Sequence, residues 1–342
     1  MNYKVSVIIP VFNAENTLDN AINSILNQTL GAENIELILV DDCSTDNSGK
    51  IIKDYASNYS NINAIFLNEN SGSPSKPRNV GIDSATAPYL MFLDNDDECF
   101  PDYCETLYDK ITEKDVDIVT CNHCPKLNNQ IYCSGHIEKF NTDEKIIEND
   151  EKFFIKLAVW ENIFKTSFIK ENNIRFPSTL YEDGVFYINC LLNTNKPIIQ
   201  LLHYPGYINL IENDDSITHK VNIRTLERFF EGYRLCHDLL KEHDARDVEE
   251  RLFSNFITMI LFMLIKLENI SEGVKRLYKF ERNLDFKINL PSKPLDIINK
   301  KIMNKQFKQA KILLQMLGLV YNNKKLKNKI YIRTYNLKPL EV

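Results

Sequence analysis

Asp94, Asp96 and Asp97 crowd around Asn95 at the end of an apolar run, Tyr89-Leu90-Met91-Phe92-Leu93. Carboxylates this close raise one another's pKa unless a positive charge neutralises them. A divalent cation answers that need most simply. Mg²⁺ or Mn²⁺ held by one or two carboxylates fills its other positions with waters and substrate phosphates, which points to a phosphate ester as substrate. A plainer use stays open, in which Asp96 or Asp97 only caps the helix that follows Pro101. A second acidic pair, Asp41-Asp42, ends another apolar run, Ile35 to Val40.

Carboxylates at the ends of apolar runs need a sheet to hold them. Lys4 to Val11 is a β-branched run closed by Pro10, and an amphipathic helix pattern follows through Leu18, Ile22, Ile25 and Leu26. Ile35 to Val40 reads as a second buried strand, with Ser44-Thr45-Asp46 as N-cap material for the next helix. Ile62 to Leu67 is a third strand, Lys76 to Ala85 a helix, and Tyr89 to Leu93 a fourth strand. This alternation implies α/β architecture, with βαβ units around a mostly parallel, Rossmann-like sheet flanked by helices. Pro10 to Asn13, Asp41-Asp42 and Asp94 to Asp97 would then share the edge where open α/β sheets bind ligands.

Further along, Pro101 to Thr112 reads as a helix, Val116 to Cys121 as a strand, and Trp160 to Ile169 as a helical, aromatic stretch. Ile198 to Leu202 and Tyr204 to Ile211 are strand-like. From Arg224 onward the spacing is helical, which gives two domains, 1–220 and a helical 221–342. The first strand-to-helix turn, Pro10-Val11-Phe12-Asn13-Ala14-Glu15, has no Gly-x-Gly-x-x-Gly, and no Walker-type lysine loop appears. A nucleotide must be held another way. The same lack of a glycine-rich basic loop speaks against a nucleotidyltransferase.

With 44% hydrophobic and 26% charged residues, the composition is that of a globular protein. The formal net charge of −6 hides an asymmetry, since from Lys300 onward eleven basic residues face Glu341 alone. Such a segment can contact anionic lipid, a polyanionic acceptor or another subunit, or simply be the solvated side of helices; a nucleic acid is not expected. No secretory signal is visible, and Phe256 to Ile265 is too short to span a bilayer. A cytoplasmic protein is expected, with work at the inner face of the membrane left open and its eight cysteines reduced.

Four motifs carry a resemblance. Val5-Ser6-Val7-Ile8-Ile9-Pro10-Val11-Phe12-Asn13, Leu39-Val40-Asp41-Asp42-Cys43-Ser44-Thr45-Asp46, Arg78-Asn79-Val80-Gly81 and Phe92-Leu93-Asp94-Asn95-Asp96-Asp97 resemble, in order and spacing, those of family 2 glycosyltransferases. Asn68-Glu69-Asn70-Ser71-Gly72 followed by Pro77-Arg78-Asn79 looks most like the teichoic-acid-modifying transferases that use UDP-N-acetylglucosamine. The resemblance covers roughly residues 3–220. It implies a GT-A fold and metal-dependent transfer, with inversion, of a sugar from a nucleotide diphosphate to a polyol, glycan or glycolipid acceptor. The helical C-terminal domain, outside that span, has two open uses, subunit association, as in a homo-oligomer, and acceptor binding.

Carried over by position, the resemblance implies that Pro10, Phe12 and Asp42 frame the base. Asp42 would accept the uracil imide N–H; a carboxylate suits that donor and repels cytosine's unprotonated N3. Asn70 and Arg78 would contact the nucleotide and donor sugar, Asp94 and Asn95 the ribose and sugar hydroxyls, and Asp96 the metal. Arg78 could also be a structural ion pair to Asp94 or Asp96, and both roles can hold. Glu182-Asp183 resembles the acceptor-side motif, with Asp183 as catalytic base and Glu182 as its orienting partner. From the residues alone, Asp183 reads first as a helix cap ahead of Val185-Phe186-Tyr187. His219 and Lys220, in a polar loop, could reach metal or phosphate. Two departures stand out: Cys43 where the family has glycine, and the proline-rich Ser73-Pro74-Ser75-Lys76-Pro77.

Cys121-Asn122-His123-Cys124 and Cys133-Ser134-Gly135-His136 leave two uses open, a structural zinc site or a hairpin with its turn in Pro125 to Gln130. The rival to an enzyme is a non-catalytic nucleotide-sugar-binding or scaffold protein that keeps the sheet and Asp42 but lacks the base.

Overall fold

The computed structural model describes residues 2–134, 143–148, 158–211, 221–284, 290, 292–321 and 337–339. By their contacts, Met1–Ser178, Glu182–Asn213 and Asn336–Val342 form one compact unit, and Thr179–Tyr181 with Asp214–Tyr335 form a second.

In the first unit the elements run β1 (Val5–Val11), α1 (Leu18–Leu26), β2 (Ile35–Asp41), α2 (Ser48–Asn58), β3 (Ile62–Phe66), α3 (Ser75–Ser84), β4 (Tyr89–Phe92), β5 (Glu98–Cys99) and α4 (Tyr103–Lys114). They continue as β6 (Ile118–Thr120), β7 (His123–Leu127), β8 (Gln130–Ser134), β9 (Glu144–Ile147), β10 (Asn162–Lys165), α5 (Thr166–Glu171), α6 (Glu182–Asn193), β11 (Ile198–Leu201) and β12 (Tyr207–Leu210). The described residues make an eight-stranded sheet in the order β3-β2-β1-β4-β10-β6-β11-β9. A second sheet runs β13-β8-β7-β12-β5, where β13 is Leu337–Pro339.

Strands β3, β2, β1 and β4 are parallel neighbours. Every residue of β1 and β2 is buried, as expected for central strands covered on both faces. The register sets Val11 opposite Asp41 and Ile8 opposite Phe92, so the ends of β1, β2 and β4 open on one edge. Helix α3 presses close to this layer: a Cβ on Gly81 would stand 2.4 Å from Ile8 Cγ2, so only glycine permits the approach.

Three expectations are corrected. The stretch from Trp160 to Ile169 is not one helix; Asn162–Lys165 is a strand, antiparallel to both β4 and β6, and α5 occupies only Thr166–Glu171. Burial explains this, because Ile163 and Phe164 are wholly enclosed between neighbouring strands, and tertiary packing outweighs local spacing. The hairpin turn is tighter than Pro125 to Gln130, since Pro125 lies within β7 and the turn is Asn128-Asn129, both at positive φ as a two-residue hairpin requires. Finally, Cys124 and Cys133 form a disulfide with a Cα–Cα distance of 4.9 Å. They face one another across the β7–β8 hairpin, two residues beyond the Lys126–Ile131 pair, which sets them against zinc ligation. His136 lies outside the described residues.

The second unit contains α7 (Ile223–Glu242), α8 (Arg246–Ile265), α9 (Ile270–Leu284), α10 (Lys293–Met303) and α11 (Phe307–Tyr321). Its core is aromatic: Phe230 stacks on Phe280 at 4.3 Å, and Tyr233, Phe253 and Phe256 pack around them. Among the described residues no helix is long and apolar enough to cross a membrane.

Candidate active site

The acidic run forms a tight turn at the end of β4, closed by the Asp97 amide donating to the Asp94 carbonyl at 3.2 Å. Three further attachments fix it. Asn95 Nδ2 donates to the Pro10 carbonyl at 3.0 Å, tying the turn to β1. Arg78 Nη2 donates to Asp94 Oδ1 at 2.7 Å. Asp97 is buried and accepts the Tyr207 hydroxyl at 2.7 Å, the Leu210 amide at 2.7 Å and Asn209 Nδ2 at 3.1 Å. Burial, then Asp96 and Asp94, push its carboxyl well above the usual range, and the donors from β12 pull against that. Asp97 is therefore the anchor of the turn, while Asp94 and Asp96 stay half-exposed at the sheet edge.

Arg78 is the hub of a second cluster. Its side chain is 3% exposed, and Nη1 donates to Asp183 Oδ1 at 2.6 Å and to Glu182 Oε1 at 3.4 Å. The guanidinium also lies over the Phe176 ring, which stacks on Phe186. The motif Arg78-Asn79-Val80-Gly81 now has a physical reading. Gly81 lets α3 onto β1, Asn79 exchanges hydrogen bonds with both backbone groups of Phe176, and Arg78 is thereby held to bridge the acids. Burial opposes the charge of Arg78, but Asp183, Asp94 and Glu182 outweigh it.

Glu182 and Asp183 occupy the first turn of α6, so Asp183 is not a cap preceding the helix. Enclosure pushes the Asp183 carboxyl up to about 7; Arg78 pulls it down, and Glu182 and Asp94 push it further up. A carboxylate near neutrality can take up a proton and give it back at working pH. Of the two partners foreseen for Arg78, the ion pair to Asp94 is present, joined by two more to the acids of α6.

On the other flank, Asp42 is buried and accepts the Ser71 amide and hydroxyl and Asn70 Nδ2. Burial raises its pKa, and the two Ser71 bonds partly offset the rise. Asn70 thus reaches Asp42 directly, and its own Oδ1 accepts the Gly72 amide. Cys43 sits at φ 62, the conformation glycine adopts without cost, which accounts for the family's glycine there. Asp41 accepts the Ser44 amide and Asp46 the Ser48 amide at the first residue of α2. Phe12, just past β1, is 43% exposed.

The expected residues thus gather in two groups at the ends of β2 and β4, the strands on either side of β1: Asp42 with Asn70, and Arg78 with Asp94, Glu182 and Asp183, with Asn95 tying the acidic turn to Pro10. His219 and Lys220 lie outside the described residues. The Asp97–Tyr207–Asn209 network went unread in the sequence, because its members lie more than a hundred residues apart and Tyr207 belongs to an ordinary strand pattern. The one available signal was a carboxylate adjoining the acidic motif without an assigned role.

Among the described residues no three His, Cys, Asp or Glu side chains form a closed metal cage. The half-exposed oxygens of Asp94 and Asp96 fit a hard cation that draws its other ligands from water and phosphate.

The model for "Glycosyl transferase family 2" matches residues 6–168. The chain is 34% identical over 231 residues to the poly(ribitol-phosphate) beta-N-acetylglucosaminyltransferase TarP of Staphylococcus aureus (strain N315), covering 66% of this chain and 69% of that one. It is 31% identical over 249 residues to a poly(ribitol-phosphate) beta-glucosyltransferase of Bacillus spizizenii, covering 72% of this chain but only 38% of that longer protein. In architecture it matches S. aureus TarS 1-349, solved in complex with UDP-GlcNAc, with a TM-score of 0.69 at 22% identity over 91% of this chain and 90% of that one. The matched segment takes in β1, the Asp41-Asp42 pair, Arg78 and the acidic turn, and the chain belongs to glycosyl transferase family 2, with a GT-A-like fold.

Proposed function

We propose that the chain is an inverting glycosyltransferase that moves a sugar from a UDP-sugar to a hydroxyl of a polyol-phosphate polymer or related cell-surface precursor. The relatives named for poly(ribitol-phosphate) and the neighbour solved with UDP-GlcNAc support the donor and acceptor classes. The observation that carries the mechanism is Arg78, which joins Asp94 on one side to Glu182 and Asp183 on the other.

Asp42 would take the uracil imide N–H and Phe12 would cover the base. Asp94 would receive hydroxyls of the donor. Asp96 is assigned to Mn²⁺ or Mg²⁺, which when bound would balance the charge of the diphosphate. The acceptor hydroxyl attacks the anomeric carbon on the face opposite the departing UDP, so the C–O bond to the acceptor forms as the C–O bond to the diphosphate breaks. Its proton passes to Asp183. Arg78 engages Oδ1, so Oδ2 is the oxygen for that proton, and Glu182 holds the guanidinium from the same helical turn. The helical unit is assigned to acceptor binding or subunit association.

Transfer kinetics with UDP-sugars and a poly(ribitol-phosphate) acceptor test this reading. Asp183→Asn should lower kcat by about 10²- to 10⁴-fold while leaving donor affinity near normal. In the unmodified protein kcat should rise with pH through about 7 and level off, because the base works deprotonated. Asp96→Ala should weaken metal-supported donor binding; equal donor affinity in both proteins would sink the metal assignment.

A further inference from the structure

Tyr207 is a buried residue with a hydroxyl used twice. It accepts the Asp94 backbone N–H at 3.2 Å and donates to Asp97 Oδ2 at 2.7 Å. The hydroxyl therefore holds both ends of the four-residue acidic turn, with Asn95 and Asp96 between them. The ring itself has little freedom. It stacks on Trp160 at 4.4 Å and meets Tyr103 edge-on, while its backbone pairs with β5 on one side and β7 on the other. Two further residues of β12 continue the attachment, Asn209 through its side chain and Leu210 through its amide, both to Asp97.

A turn that carried only structural load would not need a phenol threaded between its two ends. A turn with half-exposed carboxylates close together gains from one, because their mutual repulsion works against the closed turn when no cation is bound. We propose that Tyr207 is a positioning residue, its hydroxyl presetting the Asp94–Asp97 turn so that Asp96 meets the metal–nucleotide without first being ordered. The inference rests on the assignment of Asp96 to the metal. Outer groups that orient metal ligands commonly change metal affinity by about 10- to 100-fold when removed. Tyr207→Phe keeps the ring and its packing and deletes only the oxygen.

The test is stabilisation of the folded protein by UDP, followed as Tm against Mn²⁺ concentration, with a metal-free UDP titration alongside. The expected result is a Mn²⁺ midpoint raised about tenfold in Tyr207→Phe, with metal-free UDP binding within about twofold of the unmodified protein. Asn209→Ala, which removes one half-exposed donor to Asp97, should move the midpoint in the same direction by less, and it decides the matter if Tyr207→Phe does not fold. A lowered Tm with an unmoved Mn²⁺ midpoint would mean that the hydroxyl serves the fold alone and would overturn the proposal. If UDP binding by the unmodified protein is indifferent to Mn²⁺, the metal assignment falls and this inference falls with it.

Discussion

Asp97 in the sheet unit and Glu281 in the helical unit are both almost wholly buried carboxyls, and their surroundings differ sharply. Asp97 accepts donors from three residues of β12. Glu281, on α9, accepts only Asn299 Nδ2 from α10, and its Oε1 and the Asn299 Oδ1 have no hydrogen-bond partner among the described residues. Burial pushes the Glu281 carboxyl up to about 8. Burial pushes both carboxyls above the usual carboxylate range, so the difference lies in the donors. The sheet unit ties its buried carboxyl from three residues, whereas the helical unit leaves one oxygen of each member of its buried pair without a donor or acceptor among the described residues.

The largest effect should come from unbalancing the supplied side. Arg78→Met leaves Asp94, Glu182 and Asp183 to repel one another in a partly dry site, and losing one partner of a buried ion pair costs about 3–5 kcal/mol. Urea unfolding should show that loss, and a variant as stable as the original would mean that the cluster is not energetically linked. Next comes Glu281. The folded carboxyl keeps its proton to about pH 8, whereas an ordinary glutamate releases it near 4.5. The folded state binds more protons across that window, so stability falls as pH rises through it and levels off above. Glu281→Gln should flatten the dependence and be the more stable form above about pH 8, by a few kcal/mol on the order expected for such a shift. Parallel pH profiles for the two proteins would show that Glu281 titrates normally. The smallest effect should be Gly81→Ala, where the new methyl drives against Ile8 in a full core, at a cost of about 1–3 kcal/mol in chemical denaturation. If alanine is accepted at no cost, α3 is free to move away from β1.

What could be read in advance divides along physical lines. The parallel strands and their acidic ends were legible because wholly buried strands write themselves as unbroken apolar runs. Arg78, Glu182 and Asp183 were found only through the resemblance, since nothing local joins α3 to α6. Strand β10 was misread because its aromatic and aliphatic residues fit a helical spacing as well, and only the slot between β4 and β6 decides. The disulfide was missed because expected compartment, rather than hairpin register, governed the reading of Cys124 and Cys133. Tyr207 left no trace, its role being set by one oxygen and a distant turn.

Trp160 is the chain's sole tryptophan, and its indole lies flat against Tyr207, with His123 at its edge. Indole emission responds to the polarity and motion of its immediate neighbours, and here the neighbour is the residue that holds the acidic turn. The protein thus carries its own optical reporter, placed one aromatic ring away from the turn and unmixed with signal from any other tryptophan. Ligand-driven changes at the sheet edge can be timed by intrinsic fluorescence in a stopped-flow instrument, without attaching a dye or changing a residue.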